Sequence, residues 1–282
     1  MNNPLQNEFA RAFHALHRTD GGFLLPNAWD ATSARLFETA GFEAIGTTSA
    51  GIAYARGRRD GQRLTRAEML RELEVIIAAV RVPVTADVEA GYGDAPEGVA
   101  RTVRDVIGIG AVGANIEDGT GRAGAPLYPK AEQERRLAAA RGAADATGVP
   151  FVLNARVDTF LTASPSDAEE RYADTVRRGR AYLNVGADVV FVPGVTNAAM
   201  IRALASDLGG PLNVMAVPGA PSVPELLKLG VARVSIGQGA MLAAMGTVAA
   251  VARELRESGT YGSMTRSFYG FAEAESLFAR VR

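Results

Sequence analysis

At 282 residues, with 48% hydrophobic and 22% charged side chains, the chain can bury a large core and is not a disordered segment. Thirty basic against 31 acidic residues leave a formal net charge of −1 without a basic stripe, which argues against a nucleic-acid partner. No apolar run approaches the roughly 20 residues that cross a bilayer, and residues 1–8 lack a charged-then-apolar leader pattern. A cytoplasmic enzyme with no membrane contact is expected.

The chain opens with a helical pattern over 8–18 that carries the two histidines, His14 and His17, both expected on its solvated face. There are no cysteines, so disulfides, thiolate zinc sites and cysteine nucleophiles are excluded. Acid–base work must fall to Asp, Glu, Lys, Tyr or bound water. Short β-branched runs then recur at 23–25, 44–48, 84–88, 114–117, 151–156, 189–192, 213–217 and 234–236. Between them lie helical patterns, among them 66–80, 97–109, 132–146 and 167–185. Several open on a capping residue (Thr65, Ser166), and several stop at a glycine (Gly41, Gly110, Gly148, Gly186, Gly230). Eight strand–helix units without hairpin signals predict a parallel sheet closed as a (β/α)₈ TIM-type barrel. No Gly-x-Gly-x-x-Gly follows the first strand, which counts against a dinucleotide-binding sheet. A helix over 241–257, a break at 258–263 and a last helical stretch over 268–282 complete one domain spanning 1–282, with a C-terminal helical extension from about 260.

In such a barrel the active site lies where the strands end at their C-termini, and polar residues crowd there. The second strand runs into Thr47-Thr48-Ser49-Ala50-Gly51, whose hydroxyls and N–H groups can hold an oxyanion or simply close a tight turn. The third ends Asp87-Val88-Glu89; residues two apart on a strand share a face, so these acids should point together, beside Glu117 on the fourth. Clustered carboxylates repel unless a cation is present, and an all-oxygen donor set suits Mg²⁺, with Mn²⁺ as the alternative ion. The competing reading is that each acid caps a helix or pairs with an arginine. Arg156, inside an otherwise apolar strand, can bind a carboxylate bidentately or form an ion pair with Asp158 or Glu117. Two long loops follow, at 51–64 with Asp60 and at 119–130 with Tyr128 and Lys130. Each reads either as a lid over substrate or as a surface insertion.

Taken in order, Gly57-Arg58-Arg59-Asp60, Asp87-Val88-Glu89-Ala90-Gly91-Tyr92-Gly93, Ile116-Glu117-Asp118 and Ala155-Arg156-Val157-Asp158 resemble the isocitrate lyase/phosphoenolpyruvate mutase superfamily over about residues 20 to 250. The resemblance implies Mg²⁺ and cleavage or formation of a C–C or P–C bond in a small 2-oxo acid or dicarboxylate, by way of an enolate. It implies Asp87 as the direct metal ligand and Glu89 and Glu117 as holders of the metal's waters. Asp60 would stand at the mouth, Arg156 on the substrate carboxylate, and Thr48, Ser49 and Ala50 in the oxyanion turn. It further implies a homo-oligomer, tetramer or dimer, that exchanges a C-terminal helix. The lid lacks the Lys-Lys-Cys-Gly-His segment of the isocitrate-type lyases, so any side-chain acid would come from Tyr128, Lys130 or metal-bound water. A lyase acting on a 2-oxo or 2-hydroxy dicarboxylate leads. The alternatives are an oxaloacetate-type decarboxylase, a phosphonopyruvate P–C hydrolase or mutase, and a non-catalytic 2-oxo acid binder.

Overall fold

The computed structural model describes residues 3–266 and 268–279. In chain order it contains α1 (Pro4–Leu16), β1 (Phe23–Leu25), β2 (Asn27–Ala28), α2 (Ala31–Thr39), β3 (Ile45–Thr47), α3 (Ser49–Ala55), α4 (Arg66–Ala79), β4 (Val84–Asp87), α5 (Pro96–Gly108), β5 (Gly113–Glu117), β6 (Gly119–Arg122) and β7 (Ala125–Leu127). There follow α6 (Lys130–Asp145), β8 (Val152–Arg156), α7 (Ala168–Asn184), β9 (Val189–Val192), α8 (Ala198–Asp207), β10 (Leu212–Met215), α9 (Val223–Lys228), β11 (Arg233–Ser235), α10 (Gly239–Ser258), α11 (Gly262–Thr265) and α12 (Phe271–Phe278).

Nine of these strands form one parallel sheet in the order β1-β11-β10-β9-β8-β5-β4-β3-β2. Pro26, which has no N–H to give, interrupts the first strand. Its first half, β1, pairs with β11 and its second half, β2, pairs with β3, so the two halves join the ends of the sheet. Asn27 fastens this seam: its Nδ2 donates to Thr47 O at 2.9 Å, and its Oδ1 accepts from the N–H groups of Ile236 and Gly237, each at 2.9 Å. The result is the expected barrel, with helices outside and an apolar layer between (Leu73, Ile76, Val103, Leu137, Tyr182, Leu204, all fully buried).

Four local expectations change. His17 is not solvated: it is 7% exposed, gives Phe13 O a 2.9 Å hydrogen bond from Nδ1, and meets the rings of Phe13 and Phe23 edge to face. Helix α1 buries Ala10 and Phe13, and His17, its C-cap, is buried with them. The stretch after Glu117 is not an open loop but an antiparallel hairpin, β6–β7, closed by Gly121 and Gly124 at φ +65° and +78°. Residues 49–55 form α3, capped by Thr48, whose hydroxyl accepts from Gly51 N at 3.3 Å. The last helical stretch is divided, α11 preceding α12, and residues 280–282 of that expectation lie outside the described residues. No helix among the described residues is long and apolar enough to cross a membrane.

Candidate active site

Strand ends β2, β3, β4, β5, β8, β9, β10 and β11 surround a cavity of about 120 Å³. Thr48, Ser49, Ala50, Asp60, Asp87 and Arg156 all line it, brought together from four separate stretches of chain. Asn27, Asn115 and Ser235 add a polar lining, while Leu161, Phe191, Pro193 and Met215 supply an apolar one.

Asp87 ends β4 and is 8% exposed. Ser49 gives Asp87 Oδ2 both its N–H, at 3.0 Å, and its hydroxyl, at 2.8 Å. The turn read as an oxyanion holder therefore orients this acid, while Asp87 Oδ1 receives the Glu89 N–H at 3.3 Å. Strand alternation does not carry on to Glu89. The strand has stopped, and Glu89 sits at φ +52°, so a left-handed turn sets its direction. Its carboxylate accepts from Tyr92 Oη at 3.0 Å and from the N–H of Gln62 on the loop that bears Asp60. Burial, then the charges of Asp87 and Asp60, push Glu89 up to about 7. Asp60 is raised by the same causes, burial first and Asp87 second.

Arg156 ends β8, level with Glu117 on β5. Its Nη1 lies 2.7 Å from Glu117 Oε2, and its Nε and Nη2 engage Asp158 at 2.6 and 3.1 Å. Burial lifts Glu117 well above the usual carboxylate range, against the opposing pull of Arg156. Behind this pair, Asp118 Oδ1 accepts from Asp158 N at 2.8 Å, while Asp118 Oδ2 is held by Arg178 and Tyr182. Gly119 is required next to it, because a Cβ there would come within 2.6 Å of Asp158 Oδ2.

Tyr128 and Lys130 are placed elsewhere. Tyr128 Oη donates to Asp94 Oδ1 at 2.6 Å and its ring lies 3.9 Å under the Arg136 guanidinium, which also binds the carbonyls of Ala90, Gly93 and Asp94. Lys130 Nζ pairs with Glu134 at 3.0 Å on the first turns of α6. Neither lines the cavity; Tyr128 ties the hairpin to the turn that follows Glu89. The lining residues Asn27, Asn115 and Ser235 escaped sequence reading. Their signal was a polar side chain at the inward parity of an apolar strand: Asn115 stands two before Glu117, as Asn27 stands two after Leu25.

Among the described residues no three His, Asp or Glu side chains converge as a ready-made metal cage. The donor chemistry nonetheless fits a hard cation held by one carboxylate and water. Asp60, Asp87, Glu117 and Asp158 surround a single site arginine, Arg156, with Glu89 beside Asp87 and Asp60; repulsion from Asp87 is the first charge effect that raises both Asp60 and Glu89 beyond burial.

The phosphoenolpyruvate phosphomutase family model matches residues 13–256. The chain belongs to that family. Family members break or rearrange C–C and C–P bonds, and this chain is an enzyme of the same isocitrate lyase/phosphoenolpyruvate mutase superfamily. A solved candidate lyase/mutase of Burkholderia cenocepacia J2315 is 42% identical with a TM-score of 0.93, covering 99% of this chain and 98% of its own. The oxaloacetate decarboxylase of Bradyrhizobium diazoefficiens is 29% identical over 90% of this chain and 86% of its own length. A phosphonopyruvate hydrolase solved with oxalate and Mg²⁺ is 25% identical with a TM-score of 0.82, covering 95% of this chain and 94% of its own. The chain thus shares both the family and its barrel.

Proposed function

We propose that the protein is a Mg²⁺-dependent lyase that breaks a C–C bond in a small 2-oxo dicarboxylate of oxaloacetate size. The observation that carries this reading is the cavity itself. It is small, about 120 Å³, and is lined by one arginine, Arg156, together with the acids Asp60 and Asp87. The phosphonopyruvate hydrolase that holds oxalate with Mg²⁺ lends support from a related barrel.

Asp87 would hold the cation directly, with Glu89 and Glu117 bonded to its waters. When bound, the ion would stabilise negative charge developing on the 2-oxo oxygen. The remaining work falls to the chain. Arg156 orients one substrate carboxylate, held in plane by Glu117 and Asp158. The N-terminal turn of α3 places Thr48, Ser49 and Ala50 around the 2-oxo end. The apolar wall of Leu161, Phe191 and Met215 keeps water from the bond that breaks. For oxaloacetate, that bond joins C3 to the distal carboxylate; its electrons form the enolate, CO₂ leaves, and one proton returned to C3 gives pyruvate.

Cavity chemistry favours loss of CO₂ over a retro-aldol split. The lining contains no Cys, His, Tyr or Lys to act as a dedicated acid, and decarboxylation needs only one proton, from Asp60 or water. Oligomer formation belongs to the same reading. Helix α10 buries none of its residues yet presents Leu242, Met245, Val248 and Leu255 to solvent, a face suited to a neighbouring subunit. The test is a product assay with oxaloacetate, phosphonopyruvate, isocitrate, 2-methylisocitrate and dimethylmalate, each with Mg²⁺ and with EDTA. Metal-dependent pyruvate release from oxaloacetate is expected. Cleavage of phosphonopyruvate alone would move the protein to the P–C branch, and silence on all five would remove the lyase reading.

A further inference from the structure

The middle of this barrel is polar where such barrels are ordinarily filled by branched apolar side chains. Thr85, Asn115, Asn154, Asn213 and Arg233 are all buried there, and Arg233 is fully enclosed at 0% exposure. It opens β11, in register with Asn213 on one side and Phe23 on the other. Its Nη2 reaches Asn115 Oδ1 at 3.4 Å, and its Cζ lies 5.9 Å from the centroid of the Phe13 ring. Among the described residues no carboxylate forms an ion pair with it, and Nε and Nη1 find no acceptor.

A desolvated guanidinium without a counter-charge is costly, and a chain free to place methionine or leucine here would be more stable for it. What the arginine faces explains its presence. Asn115, which it touches, lines the cavity and is the register partner of Asp87. Through Asn115, Arg233 thus reaches the strand that runs beside Asp87. Burial lowers Arg233 to about 9, and the one charge that opposes this is Asp87.

We propose that Arg233 is an electrostatic positioning residue, an internal cation in contact with Asn115 of the cavity lining that offsets the carboxylate cluster and lets a dianionic acid bind there. The proposal rests on the 2-oxo dicarboxylate reading. A substrate with two carboxylates enters a cavity lined by Asp60, Asp87 and one arginine, Arg156, which Glu117 and Asp158 already engage, and Arg233 supplies the second positive charge. In the low-dielectric interior that charge acts at a distance and escapes screening by salt.

The experiment compares Arg233→Met and Arg233→Lys with the wild type by thermal unfolding and by calorimetry of Mg²⁺ alone and of oxalate with Mg²⁺. Arg233→Met should unfold no earlier than the wild type. It should bind Mg²⁺ more tightly and oxalate more weakly, each on the order of tenfold. Arg233→Lys should keep both affinities within about threefold of the wild type, because it keeps the charge. Opposite movement of the two ligands is the signature, since general distortion of the site would weaken both. Loss of thermal stability with both affinities unchanged would make Arg233 a structural strut and overturn the proposal. Oxalate binding as weak in the lysine as in the methionine variant would overturn it too. A wild type that ignores oxalate would defeat the proposed function, and Arg233 would then stand or fall on Mg²⁺ affinity and thermal unfolding.

Discussion

Arg156 and Glu117 end neighbouring parallel strands in register and meet at 2.7 Å, Nη1 to Oε2, inside the barrel mouth. With Asp158 on its other edge, the guanidinium is held in one plane before any substrate arrives. That is the arrangement a carboxylate-binding arginine needs.

Arg156→Lys should retain the fold but lose planar recognition, raising KM for oxaloacetate about tenfold or more. Arg156→Met should cost about 3 kcal/mol of stability, because it strands Glu117 and Asp158 without their partner. Urea unfolding and steady-state kinetics separate the two effects. Unchanged kinetics in Arg156→Lys would remove the arginine from substrate binding.

A double variant, Tyr128→Phe with Lys130→Ala, should turn over substrate within about threefold of the wild type. Both side chains are engaged away from the cavity, Tyr128 with Asp94 and Lys130 with Glu134. Loss of the Tyr128 hydrogen bond should cost about 1 kcal/mol of stability. A loss of turnover of a hundredfold or more would return one of them to the role of proton donor.

His17 predicts an acid sensitivity that has nothing to do with catalysis. Burial, then the charge of Arg233, depresses its pKa from 6.5 to about 3, so the fold holds it neutral while the unfolded chain takes up a proton first. Its contribution is complete above pH 6.5 and is lost as pH falls from there toward 3, at up to about 1.4 kcal/mol per unit. His17→Leu should therefore lose less stability than the wild type between pH 7 and pH 4.5. Parallel urea curves for the two proteins at both pH values would contradict this.

The barrel was legible because its signals are periodic and local: eight β-branched runs, helix starts at Thr65, and glycine stops such as Gly110. The cavity-lining residues Thr48, Ser49, Asp87 and Arg156 were legible because polar residues at strand ends are conspicuous against an apolar strand, and Asp60 because it sits in a loop longer than the barrel needs. What was hidden depended on tertiary partners. His17 looks solvated from its own helix, and Phe23, from the first strand, covers it. The hairpin Gly119–Leu127 reads as a loop because its strands are short and its turn rests on two glycines at positive φ. Tyr128 reads as a candidate acid from the chain alone, whereas Asp94, 34 residues away in sequence, takes its hydroxyl and Arg136 covers its ring. Arg233 gave no signal at all, since an arginine opening a short strand is ordinarily at the surface.

In the proposed function the Asp87-centred carboxylates form a divalent-cation site. The most direct measurement is calorimetric titration of Mg²⁺ into metal-stripped wild type and Asp87→Ala, with unfolding curves to confirm that both are folded. One Mg²⁺ per chain is expected in the wild type, with binding weaker by about a hundredfold or more in Asp87→Ala. Equal binding by the two folded proteins, or none by the wild type, would contradict it.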